Sequence, residues 1–211
     1  MVAGMRLRRL ALLLSKLSPP IPNPRADLEQ YTTPAELALR AALRAITIGG
    51  PTASYADLGA GTCRLSLALA LLGAGRVAAV EFDERLCSIC LSAIVDSGYE
   101  GVIQPICSHI DSGHGPLSPS RVEVIVMNPP HGVQRRGADR EFLEYAFKLK
   151  PHTIIAILKS GNLDFHKRLA SLWGYRTRLL WVDTIEIPAS MPHHRSRIRR
   201  VKVDVIEFAK R

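Results

Sequence analysis

Apolar positions along the chain alternate between two patterns. Short, nearly uninterrupted runs of Val, Ile, Leu and Ala sit at Ala53–Leu58, Val77–Glu81, Val102–Cys107, Val122–Met127 and Thr153–Leu158. Runs of that length read as strands buried on both faces, as in a parallel sheet. Between them, Leu65–Leu72, about Glu84–Val95 and Arg140–Lys148 carry helically spaced apolar residues, and Leu163–Leu172 follows the fifth strand. Thr177–Glu186 and Val201–Phe208 are longer strands, separated by Pro188–Arg200 with no helix between them. The pattern predicts an α/β fold: a mostly parallel, seven-stranded sheet with a C-terminal antiparallel hairpin at one edge.

The amino-terminal end reads differently. Met1–Ser18 is a short amphipathic helix with arginines before Leu10–Leu14, and Ser18-Pro-Pro-Ile-Pro-Asn-Pro continues it as an extended connector. The apolar block is too short for a signal peptide, and no run approaches the roughly 18 residues of a membrane span. A cytoplasmic location is therefore expected. Thr33 before Pro34 predicts a helix N-cap, with the helix running to about Ile46 and stopped by Gly49-Gly50-Pro51. Residues 1–27 are thus expected to form a helix and connector, and 28–211 the main domain.

At 211 residues and 47% hydrophobic content, the chain fills one domain well. Lys and Arg number 28 against 19 Asp and Glu, a formal charge of +9. That balance leans toward nucleic acid or another anionic partner. Cys87 and Cys90 form a C-x-x-C in a helical stretch, without a second pair to complete a zinc site, so no metal is expected. With Cys63 and Cys107 they are read as buried thiols, disulfides being expected only if the source is a hyperthermophile.

Candidate chemistry begins where strands stop. Val122–Met127 ends abruptly at Asn128-Pro129-Pro130. Neither proline can donate to a ladder, and both fix φ near −65°. A buried strand halted by a stiff turn holds the Asn128 side chain and the Pro129 carbonyl at its carboxyl end, the edge where ligands bind in open α/β sheets. Two fixed acceptors suit an amino group carrying two hydrogens. Upstream, Asp57-Leu-Gly-Ala-Gly-Thr62 joins the first strand to the next helix, and Glu81 ends the second strand, where ribose hydroxyls are gripped. The turn lacks the third glycine of a dinucleotide fingerprint, since Arg64 stands there, and lacks the P-loop lysine. Asp57 before the glycines suits a cationic ligand better than a pyrophosphate.

Together, Asp57-Leu-Gly-Ala-Gly, Glu81 and Asn128-Pro-Pro-His131, preceded by Leu28-Glu-Gln-Tyr-Thr-Thr, resemble a class I S-adenosylmethionine-dependent methyltransferase of the methyltransferase-like protein 5 family of eukaryotes and archaea. The likeness runs from about Leu28 to the carboxyl terminus and includes Gly73-Ala-Gly75, Ala138–Leu143 and Ile187–Ser190. It implies a Rossmann-like fold, S-adenosylmethionine as cofactor, and methylation of an adenosine N6 in small-subunit ribosomal RNA. Gln30 and Thr33 would close over the cofactor, Asp57, Gly59, Gly61 and Thr62 would line its methionine end, and Glu81 would hold the ribose. Ser108 falls where the family's adenine-contacting Asp stands, moving that contact toward His109 or Asp111. Asn128, Pro129, Pro130 and His131 would be the catalytic turn, Asn128 also contacting the cofactor, with His131 in place of the usual aromatic residue as a stacking platform for a flipped base.

RNA affinity is expected from Arg135, Arg136 and Arg140, and from a second cluster of His193, His194, Arg195, Arg197, Arg199, Arg200 and Lys202. The resemblance also implies a small zinc-binding activator protein adding a strand beside Val102–Cys107, an apolar run expected at a sheet edge. The Asn-Pro-Pro turn also suits guanine N2 or a glutamine side-chain amide as acceptor, and a non-catalytic RNA-binding assembly factor is a further alternative.

Overall fold

The computed structural model describes residues 2–25, 28–130, 137–188 and 198–211. Seven strands form one sheet in the order β3-β2-β1-β4-β5-β7-β6. Strands β1 (Ser54–Leu58), β2 (Arg76–Glu81), β3 (Ile103–Cys107), β4 (Val124–Met127) and β5 (Thr153–Lys159) are parallel. β6 (Tyr175–Pro188) and β7 (Ile198–Lys210) form the antiparallel hairpin, with β7 inserted between β5 and β6. This is the predicted Rossmann-like α/β architecture. The hairpin strands outrun the predicted ones because their pairing with each other, interrupted by a register shift between Leu179 and Trp181, carries them past the apolar stretch.

Helices cover both faces. α1 (Val2–Leu17), α2 (Ala35–Gly49), α3 (Arg64–Leu71) and α4 (Glu84–Ser97) bury a core that includes Leu14, Leu39, Tyr55, Leu67 and Ile94. α5 (Ala138–Lys148) and α6 (Leu163–Leu172) bury the other, with Leu58, Met127, Leu143, Phe147 and Phe208. α2 is alanine-rich on its buried side (Ala38, Ala41, Ala42, Ala45), which lets it lie close to α3 and the sheet. It ends at Gly50, whose φ of 73° only glycine adopts freely. Leu14 of α1 is fully buried in the first core, worth about 2 kcal/mol by area. The amino-terminal helix is thus packed into the main body. No helix among the described residues is long and apolar enough to cross a membrane.

Two local expectations are corrected. Thr33 does not cap α2: the residue before the helix is Pro34, and no side chain caps it. The Thr33 hydroxyl is taken by a partner 95 residues away, described below. The four cysteines are not free thiols. Cys63 pairs with Cys90 and Cys87 with Cys107, with Cα atoms 5.1 and 5.8 Å apart. One turn of α4 carries Cys87 and Cys90, so the C-x-x-C faces two neighbours at once, α3 through Cys90 and β3 through Cys87.

β3 is an edge strand, as expected, but its edge is blunted. Val77 N–H bonds Val102 O and Ser108 N–H bonds Glu81 O. Alternate residues of a parallel strand point away from that neighbour, so the missing N–H of Pro105 falls on the free edge.

Candidate active site

A cleft opens at the carboxyl ends of β1, β2 and β4, where strand order reverses between β1 and β4. Its floor is the turn after β1. Gly59 and Gly61 have φ of 77° and 57°, and the N–H groups of Gly59 and Ala60 both donate to Val80 O at 2.9 Å. A Cβ on Gly59 would come within 3.2 Å of the Phe142 ring, so the backbone must stay bare there. Gly61 N–H donates to Glu81 Oε2 at 2.8 Å, and Glu81 Oε1 accepts from Phe82 and Asp83 N–H at 2.9 Å each. Glu81 is 8% exposed, and burial raises its pKa against the lowering effect of those bonds. Oε1 has both lone pairs engaged, and Oε2 keeps one for a ligand.

Asp57 points elsewhere. Alternation along β1 turns its side chain toward α3, where Oδ2 accepts from Ser66 N–H (2.9 Å) and Ser66 Oγ (2.7 Å). It does not reach the cleft wall, contrary to the lining role expected for it. Oδ1 is buried without a partner. Burial pushes the carboxyl up to about 7, with the Ser66 bonds opposing the shift.

The acceptor side is Asn128, at the end of β4. Its Oδ1 accepts from the Tyr31 hydroxyl at 2.8 Å, and its Nδ2 donates to Thr33 Oγ1 at 2.8 Å. The amide is therefore fixed at both ends, with one Oδ1 lone pair left over. Pro130 lines the cleft beside it, and Pro129 is buried. Tyr31 is the functional residue that sequence reasoning missed, although it lies inside the Gln-Tyr-Thr-Thr segment. Nothing in local spacing shows which side chain will meet residue 128. Burial raises the Tyr31 hydroxyl well above its ordinary range, keeping it a donor.

The segment after α1 roofs the cleft. Ile21, Leu28, Gln30 and Thr32 line it. Gln30 is engaged on both sides of its amide: Nε2 donates to Asp83 Oδ2 at 2.7 Å, and Oε1 accepts from Arg25 N–H and Arg85 Nη2. Thr62 lines the cleft and turns its hydroxyl onto Pro19 O at 2.8 Å. Phe82, Leu86, His109 and Ile110 form an apolar corner next to Ser108. Of the two residues considered in place of Ser108, His109 lines this corner. Asp111 does not: its Oδ1 accepts from Gly113 and His114 N–H at 2.8 Å each.

Gln30, Thr33, Gly59, Gly61, Thr62, Glu81, Ser108, Asn128 and Pro130 therefore meet in one cleft. His131, Arg135, Arg136, His193, His194, Arg195 and Arg197 lie outside the described residues. Arg199 lies on β7. Arg140 and Arg200 sit on the surface, paired with Glu144 at 2.8 Å and Glu186 at 3.1 Å.

The residues fit an S-adenosylmethionine group. A bare turn can take its methionine end, and the free lone pair of Glu81 Oε2 can take a ribose hydroxyl. The apolar corner suits an adenine ring, and carboxylates outnumber guanidinium groups on the wall, as a sulfonium and an ammonium require.

No family model matches the chain. It is 26% identical to the rRNA N6-adenosine-methyltransferase of Drosophila melanogaster, covering 98% of each chain. It is 25% identical to the enzyme of the same description from Danio rerio, over 72% of this chain and 73% of that one. A solved structure of a candidate RNA methyltransferase from Pyrococcus horikoshii superposes with a TM-score of 0.85 at 33% identity, covering 97% of this chain and 98% of that one. Glycine turn, strand-end carboxylate, Asn-Pro-Pro turn and near full-length similarity agree: the chain belongs to the methyltransferase-like protein 5 family of class I, S-adenosylmethionine-dependent methyltransferases.

Proposed function

We propose that the chain transfers a methyl group from S-adenosylmethionine to N6 of an adenosine in small-subunit ribosomal RNA. The observation that carries this reading is the Asn128 amide, locked between Tyr31 and Thr33 on the wall facing the glycine turn. When bound, the cofactor supplies a methyl group on a sulfonium, which needs only a free lone pair in line with it.

The exocyclic nitrogen of adenine is a poor nucleophile because its lone pair is spread into the ring. The remaining lone pair of Asn128 Oδ1 would accept one N6 hydrogen and the Pro129 carbonyl the other. Holding both hydrogens out of the ring plane makes the nitrogen more tetrahedral and frees the pair. The residues need no strong base before attack. The nitrogen would become cationic as the C–N bond forms and the C–S bond breaks, and would then release one of its two hydrogens as a proton to solvent. Most of the acceleration is therefore positional, with electrostatic help for the developing positive charge. Thr33 keeps the amide from turning over, since a reversed amide would present N–H to N–H.

His131 would stack on the extruded base, and Arg135, Arg136, Arg140, His194, Arg195, Arg197, Arg199 and Arg200 would contact phosphates. The Arg140 and Arg200 surface pairs are worth about 1 kcal/mol at most, so exchange of Glu144 or Glu186 for phosphate costs little. A small zinc-binding activator adding a strand along β3 is part of the same reading. Its support is the free edge itself, on which Pro105 leaves carbonyls as the main bonding groups.

The test is transfer of tritiated methyl to small-subunit RNA, followed by nuclease digestion and mass spectrometry. N6-methyladenosine is the expected product. Methylated guanine N2, or label on a protein glutamine, would replace the substrate assignment. Tight cofactor binding with no transfer to any acceptor would replace it with RNA binding alone.

A further inference from the structure

Arg64 stands where a dinucleotide fingerprint would have its third glycine, at the first position of α3. Among the described residues it is the only Lys or Arg lining the cleft, against Glu29, Glu81 and Glu141. Its guanidinium is spread over neutral acceptors. Nε donates to Ser18 Oγ at 3.3 Å, Nη1 to Thr33 O at 3.1 Å and Nη2 to Ser18 O. No carboxylate among the described residues pairs with it.

A partly buried cation without a counter-ion is costly, and proteins normally supply one. Burial accordingly lowers its pKa. Three of its five N–H groups are used, which leaves two without an acceptor among the described residues. The group this family binds carries two positive centres and one negative one, the α-carboxylate of its methionine. Among the described residues the cleft wall offers the complementary set: several carboxylates and a single guanidinium beside the glycine turn.

We infer that Arg64 is the carboxylate-recognition residue for the cofactor's amino-acid end, supplying the missing counter-charge pair when the cofactor binds. The same guanidinium ties Ser18 and Thr33 to α3, so cofactor recognition and seating of the roofing segment share one side chain. Because Thr33 also holds Asn128, the pair links the donor side of the cleft to the acceptor side. The inference rests on the cofactor assignment.

The experiment compares two ligands by calorimetry: S-adenosylmethionine and its decarboxylated analogue, which lacks only the carboxylate. Wild-type protein is expected to prefer the first by more than about tenfold, in line with a charge-assisted bond. Arg64→Met loosens the roof for both ligands but should weaken S-adenosylmethionine by about tenfold more than the analogue, abolishing the preference, and Arg64→Lys should recover part of it. Equal losses for both ligands in Arg64→Met would reduce the residue to a tie for the roof and overturn the inference. Equal affinity of the wild type for the two ligands would overturn it without any variant. A wild type that binds neither ligand would overturn the cofactor assignment as well.

Discussion

The two walls of the cleft are held by different means. The donor wall is the glycine turn, Glu81 and Ser108, at the ends of adjacent strands β1, β2 and β3. Main-chain bonds fix it, from Gly59 and Ala60 to Val80 and from Gly61 to Glu81. Two disulfides staple it to α4: Cys63 directly follows Thr62, and Cys107 directly precedes Ser108. The acceptor wall has no covalent support. Asn128 is oriented by two side chains, Tyr31 and Thr33, that arrive from 97 and 95 residues away. The donor site is therefore built into the sheet, whereas the acceptor site is complete only while the segment after α1 is seated. Removing parts of each wall should give different signatures.

The largest effect is expected from Asn128→Ala. Removal of one fixed hydrogen-bonding group at the reacting centre typically costs about 10²- to 10³-fold in kcat. Cofactor affinity should change far less, because the donor wall keeps every one of its own bonds. Single-turnover methylation read beside calorimetric affinity separates the two quantities. Substantial turnover with intact cofactor binding would sink the pincer mechanism.

The same contrast explains what the sequence could tell. The donor wall was legible because its chemistry is local: Gly59, Gly61 and Glu81 declare themselves by strand-end position and turn type. The stiff end of β4 was legible for the same reason, since two prolines stop a strand wherever they stand. What holds Asn128 was not legible. Thr33 before Pro34 carries a helix-start signal, and its hydroxyl had a better partner in Asn128 than in its own helix. Asp57 misled because the motif names the residue but not the strand face, and alternation sends it to Ser66. The cysteines misled because a C-x-x-C on a helix says nothing about which neighbours lie opposite each sulfur.

Those cysteines give the next test, directed at the donor wall. The bridges close loops of 27 and 20 residues, which by chain entropy is about 3 kcal/mol each. Reduction should lower Tm by roughly 6 to 12 °C per bridge for a domain of this size. It should also weaken cofactor binding, since both bridges adjoin lining residues. Peptide mapping without reductant should recover Cys63 joined to Cys90 and Cys87 joined to Cys107. A reduced protein that melts and binds cofactor as before would remove the covalent distinction between the walls.

The smallest effect is expected from Tyr31→Phe, and it is the sharpest test of the acceptor wall. The substitution removes one hydroxyl from a buried ring and leaves the packing almost unchanged. One buried hydrogen bond is worth about 1 kcal/mol, so a drop of roughly tenfold or less in kcat is expected. The loss should appear in kcat rather than in cofactor affinity, because the hydroxyl bonds Asn128 and not the glycine turn. Tyr31→Phe combined with Asn128→Ala should then cost no more than Asn128→Ala alone, since the tyrosine would have nothing left to orient. Additive losses in the double variant would mean that Tyr31 acts on the substrate or cofactor directly, and the acceptor wall would have to be redrawn with the phenol as a contact of its own.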